Sequence, residues 1–119
     1  MILADTSIWV HHFQRGDSTF ATLLDQERIL VHPHVIGEIM LGSLPDRRLA
    51  LELLEELPLA VIARDEEVVR LIESEKLFGL GIGYVDAHLV AATRLTPGAR
   101  LWTLDKRLHA AVARLSIAM

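Results

Sequence analysis

Along the chain, short blocks of consecutive apolar residues alternate with longer stretches in which apolar residues recur every three or four positions. The first spacing is that of a strand buried on both faces, and the second that of an amphipathic helix. "MILAD" opens the chain and is too short for a helix before Asp5, so it reads as a strand. "TSIWVHHFQRG" follows as a short helix, with Thr6 or Ser7 as N-cap and Gly16 as its stop. Ser18 starts a second helix, "STFATLLDQ", and "RILVH" is a second strand. "PHVIGEIMLG" carries Pro33 in its first turn and Gly42 near its end, and "PDRRLALELLEELP" is a strongly amphipathic helix stopped by Pro58. "LAVIA" is a third strand. The helix "RDEEVVRLIESEKLFG" and the helix "GYVDAHLVAATRL", closed by "TPG", come next. "ARLWTL" makes a fourth strand, "DKRLHAAVARL" the last helix, and "SIAM" a short edge strand. Apolar strands alternating with helices predict an α/β fold built on a parallel sheet covered on both faces.

Composition adds limits to this picture. The 119 residues are 51% hydrophobic, enough for one core, and no repeat or linker divides them, so one domain over residues 1–119 is expected. No run approaches the roughly 18 apolar residues of a membrane span. The first residues lack the basic segment of a signal peptide, so a cytoplasmic protein with no membrane partner is expected. The absence of cysteine excludes disulfides, thiol nucleophiles and sulfur-bound metals, leaving oxygen and imidazole as the available ligands. A net charge of −4 is not the footprint of bulk electrostatic binding to nucleic acid. It leaves room for a small basic rim drawn from "DRRLA" and "LDKRLH".

Against this background four acids stand out. Asp5 ends the first strand, Asp105 directly follows "LWTL", and Glu38 and Asp86 lie in helices that are apolar nearly all round. At about 100° per residue the neighbours of Glu38 are His34, Val35, Leu41 and Gly42, which leaves it no polar face and predicts that it is buried. His34, one turn earlier, is placed to hydrogen-bond it. Asp86 projects beside Ile82, Gly83, Leu89, Val90 and Thr93. An isolated carboxylate in such surroundings costs several kcal/mol, so each needs a partner. Ligands of open α/β sheets bind beyond the carboxyl ends of the strands, where Asp5 and Asp105 fall. If those two strands are adjacent, all four acids meet there, and the cation suited to such a group is Mg²⁺ or Mn²⁺. Local roles compete with this reading. Asp5 and Asp105 each suit an N-cap, Asp86 suits a first-turn acid, and Glu38 has only a reach to the surface or an Arg partner as alternative.

These residues resemble the PIN-domain ribonucleases, especially the VapC-type toxins of toxin-antitoxin pairs. The matching segments are "ILADTSIWV", "HPHVIGEIMLG", "GIGYVDAHLVAA" and "LWTLDKRL", in the family's order and spread over essentially the whole chain. The resemblance implies a three-layer α/β/α sandwich with a mainly parallel sheet of about four or five strands. It also implies an acidic metal-binding and catalytic cluster of Asp5, Glu38, Asp86 and Asp105, supported by the hydroxyls of Thr6, Ser7 and Thr103. Cleavage of RNA with Mg²⁺ or Mn²⁺, a homodimer and a cognate antitoxin are implied in turn. A PIN-like domain that mainly binds a protein partner is the competing function.

Other features carry less. "GLGIGY" follows a helical pattern instead of a strand and fails the context of a dinucleotide loop. His11, His12, His32 and His34 lack zinc-hydrolase spacing and read as surface or helix-end residues. Trp9, Phe13, Phe20, Leu23 and Leu24 read as core, although the resemblance also offers the first two helices as an antitoxin groove. Arg47, Arg48, Lys106 and Arg107 are candidates for phosphate contact, with solvated helix faces as the alternative.

Overall fold

The computed structural model describes residues 1–119. Its centre is β1 (Ile2–Ala4), paired in parallel with β2 (Ile29–Leu30) on one side and β3 (Arg100–Trp102) on the other. Leu3 stands opposite Leu30 and Leu101, and every residue of β1 is buried. The path from β1 to β2 runs through α1 (Thr6–Arg15) and α2 (Ser18–Asp25). That from β2 to β3 runs through α3 (Pro33–Leu41), α4 (Arg47–Glu56), α5 (Asp65–Ser74) and α6 (Tyr84–Leu95), and α7 (Lys106–Arg114) follows β3. Parallel crossovers are right-handed, and these two run in opposite directions across the sheet, so their helices cover opposite faces. The expected sandwich results.

The sheet has three strands, not the four or five expected. "LAVIA" is reduced to one bridge, Val31 to Leu59, because its backbone is diverted: the Val61 N–H donates to the Thr96 hydroxyl at 2.8 Å. Val61 and Ile62 consequently lie exposed. "SIAM" is likewise one bridge, Leu101 to Ala118. Each is a would-be edge strand too short to extend the ladder.

The helix expected through Phe78 stops at Ser74. Lys76 takes a left-handed conformation (φ 53°), and the N–H groups of Leu77 and Lys76 return to the carbonyls of Ile72 and Glu73. Glu27 and Ser116 end α2 and α7 by the same two-bond closure. Such an ending is normally signalled by glycine; here ordinary residues adopt it, so the stop was invisible in the pattern. The core spans both faces of the sheet, with Trp9 and Phe20 in edge-to-face contact at 4.8 Å between centroids. Leu23 is buried with them, Leu24 is half-buried, and Phe13 is exposed.

Candidate active site

In the order β2-β1-β3 the chain moves first to one side of β1 and later to the other, which opens a crevice at the carboxyl ends of β1 and β3. The parallel register sets Ala4 opposite Trp102, and the Asp5 N–H donates to the Trp102 carbonyl at 3.0 Å. Asp5 and Thr103 therefore leave the sheet side by side. The Thr103 hydroxyl donates to Asp5 Oδ2, and the Ser7 hydroxyl to Asp5 Oδ1 at 2.5 Å. Asp5 Oδ1 also accepts the Ile8 N–H at 3.3 Å and so caps α1. The supporting hydroxyls are themselves fixed: the Leu104 N–H donates to Ser7 Oγ, and the Asp105 N–H to Thr103 Oγ1. Asp5 is the one buried member of the acidic set.

Asp105 caps α7, its Oδ1 accepting from the N–H groups of Arg107 and Leu108. Asp86 Oδ2 accepts the Gly83 N–H at 3.1 Å in the first turn of α6. The local roles weighed for these three acids are thus all occupied, yet they do not exhaust the carboxylates, because a cap needs only one oxygen. Glu38 corrects the expectation of burial: it is exposed, as are its helical neighbours His34, Leu41 and Gly42, while Val35 on the flank of that face is buried. An apolar helix face that borders a crevice is open to water, and helical projection alone cannot distinguish it from core. Glu38 is held by the Thr6 hydroxyl at 2.6 Å, not by His34.

The four acids share one electrostatic neighbourhood. Asp86 is pushed above the ordinary aspartate range, first by burial and then by the charges of Asp5, Asp105 and Glu38, against the lowering pull of the Gly83 N–H. An acid whose folded-state pKa is raised contributes stability at low pH that is lost as pH climbs through that raised value. In EDTA, Asp86→Asn is therefore expected to melt at or above the wild-type temperature at pH 7, its amide oxygen still accepting from Gly83. The gap should close as pH drops below the raised value. A large loss of stability would assign Asp86 a purely structural role.

None of the four acids forms a salt bridge with Lys, Arg or His. Hard carboxylate oxygens without a paired cation suit Mg²⁺ or Mn²⁺ in kind. Their spacing is looser than the sequence suggested, since no three His, Asp or Glu side chains are gathered into a set able to hold an ion.

Comparison with known proteins bears on this arrangement. The sequence profile of the PIN domain matches residues 2–115. The chain belongs to the PIN-domain family. The PIN domain is 43% identical over 119 residues to Ribonuclease VapC32 of Mycobacterium tuberculosis, in strains CDC 1551 and H37Rv alike, covering all of this chain and 96% of that protein. Its fold resembles the crystal structure of PAE2754 from Pyrobaculum aerophilum, with a TM-score of 0.61, 18% identity, and coverage of 93% of this chain and 78% of that one.

Two features of this PIN domain escaped the sequence pattern. His32 does lie at a helix end, capping α3 with its Nδ1, which accepts the His34 N–H at 3.0 Å, but it is fully buried, which the pattern did not show. That bond places the ring proton on Nε2, which has no partner. Burial, then the nearby His34 and His88, lower the His32 pKa from 6.5 to about 4. Buried His88 contacts Asp65 Oδ1 through Nε2 at 3.0 Å, and the Tyr84 hydroxyl donates to the same oxygen at 3.2 Å. The missed signal was His88 itself, an imidazole on an apolar helix that required a polar partner. The second feature is a cleft of about 500 Å³ lined by Val10 and Phe13 of α1 and by Leu44 and Pro45, with Glu38 at one side. No helix is long and apolar enough to cross a membrane.

Proposed function

We propose that this PIN domain is an Mg²⁺- or Mn²⁺-dependent endoribonuclease, the toxin of a toxin-antitoxin pair. One observation carries the reading: Glu38, Asp86 and Asp105 each have one carboxylate oxygen bonded within the protein and the other without a protein partner, around the buried Asp5. Likeness over the full chain to a protein named a ribonuclease supports RNA as the substrate of that acidic set.

In this reading Asp5, Asp86 and Asp105 would hold the ion, with water making up the spacing that the three carboxylates alone leave too wide. A bound divalent cation supplies charge to offset that developing on the phosphate and the leaving oxygen. Thr103 and Ser7 keep both oxygens of Asp5 in place, and Thr6 fixes one oxygen of Glu38 so that the other can orient the attacking water. The capping bonds turn each carboxylate as a rigid extension of its helix. The substrate is RNA, the working form a cytoplasmic homodimer with a single domain of residues 1–119 in each copy, and a cognate antitoxin neutralises it by covering the site.

The purified protein is expected to cleave RNA with Mg²⁺ or Mn²⁺, to stop in EDTA, and to resume when the metal is restored in excess. Cleavage that survives EDTA would sink the metal-dependent mechanism. Induced expression without the antitoxin should arrest growth, and normal growth would count against the toxin assignment.

A further inference from the structure

The loop between α5 and α6 contains two glycines in left-handed conformations, Gly79 (φ +72°) and Gly81 (φ +78°). They differ in one respect. A side chain on Gly79 would meet nothing within 4 Å, whereas a Cβ on Gly81 would lie 2.6 Å from Nη1 and 2.8 Å from Cδ of Arg107. Arg107 thus rests on the bare backbone of Gly81, a seat that any larger residue would abolish.

No polar contact of its side chain with the protein holds Arg107 there. Its side chain is exposed, enters no salt bridge, and donates no hydrogen bond to the protein, although the Asp105 carboxylate accepts from its backbone N–H. It occupies the first turn of α7, where the helix dipole disfavours a cation, and no acid accompanies it in that turn. Its location is specific to the site: its N–H is bonded to Asp105, and its seat lies two residues before Gly83, which holds Asp86. The guanidinium therefore spans the gap between the two segments that present Asp105 and Asp86, with all its donors unspent.

We propose that Arg107, seated on Gly81, is a positioning residue that binds a backbone phosphate of the RNA beside the acidic cluster. This rests on the ribonuclease reading and adds to it the cation that an acidic site needs if a polyanion is to approach. A planar fork of N–H donors suits a phosphate oxygen pair. Gly81 serves by its lack of a side chain as much as by its conformation.

The test compares Arg107→Ala, Arg107→Lys, Gly81→Ala and Gly79→Ala with the wild type, using a single-stranded RNA oligonucleotide. Binding is measured in EDTA across a salt series, and cleavage in Mn²⁺. Arg107→Ala should weaken binding about tenfold, the worth of one charge-assisted contact, and flatten the dependence of log Kd on log salt by about 0.7. KM should rise with kcat changed less than about twofold, and Arg107→Lys should recover part of the loss. Gly81→Ala should reproduce Arg107→Ala, whereas Gly79→Ala, with the same backbone penalty but no displaced guanidinium, should bind and cleave like the wild type. Unchanged affinity and salt slope in Arg107→Ala would overturn the proposal, as would a shifted pH profile without a change in slope, which would make Arg107 only a counter-charge for the acids. Equal behaviour of the two glycine variants would remove the seat. A wild type that binds RNA through Arg107 but never cleaves would instead overturn the ribonuclease reading alone.

Discussion

Asp5→Asn is expected to lower the RNA cleavage rate by about 10³-fold, the several kcal/mol of transition-state stabilisation that a metal-assisted site supplies, while leaving the protein folded. The two halves of this expectation come from different atoms of one side chain. An asparagine oxygen still caps α1 by accepting the Ile8 N–H, and Asn is as good an N-cap as Asp. The amide group that replaces Oδ2 faces the Thr103 hydroxyl, which can rotate to accept instead of donate. What disappears is the negative charge at the only buried position of the acidic set. Cleavage kinetics beside a thermal melt separate the two effects. Equal cleavage by the variant would remove Asp5 from catalysis, and a collapsed melt would make it chiefly a structural cap.

The second large effect concerns acid stability. His32 has its pKa lowered from 6.5 to about 4, so the folded protein favours the neutral ring. Stability from such a group is fully present above pH 6.5 and is lost as pH falls toward 4, because the unfolded chain binds the proton first. The loss amounts to about 2–3 kcal/mol, a large share of the roughly 5–15 kcal/mol that holds a typical domain together. Asp86 contributes with the opposite sign, so the urea midpoint is best followed from pH 7 to 4.5 in an Asp86→Asn background. His32→Asn keeps an acceptor for the His34 N–H and does not titrate. It should be less stable at pH 7, through the void it leaves, but should lose most of the acid slope. An unchanged slope would assign the acid sensitivity elsewhere.

Much of this was legible in the sequence because the signals were local. Unbroken apolar runs placed β1, β2 and β3, and Pro33, Gly16 and Pro58 bracketed helices that exist. The surroundings of four acids singled them out, and the charges of Asp5, Asp105 and Glu38 do act on Asp86. What failed were judgements that depend on the other side of a contact. Val61 looked like strand until Thr96, 35 residues away, took its N–H. Glu38 looked buried because an apolar helix face bordering a crevice has the same periodicity as one packed in a core. Lys76 stops α5 in a conformation that the residue type does not announce. Gly81 was visible only as part of an unconvincing glycine motif, since its meaning lies in a guanidinium carried by the next helix but one, α7.

The bond from Thr103 to Asp5 joins residues 98 apart. The first strand leaves the ribosome nearly a hundred residues before the strand that completes its crevice. A nascent chain can therefore display Asp5, Glu38 and Asp86 without the hydroxyl that steadies the first of them. Competence of the acidic site therefore waits on the later of the two strands, and the earlier acids are exposed on the ribosome before they can act together.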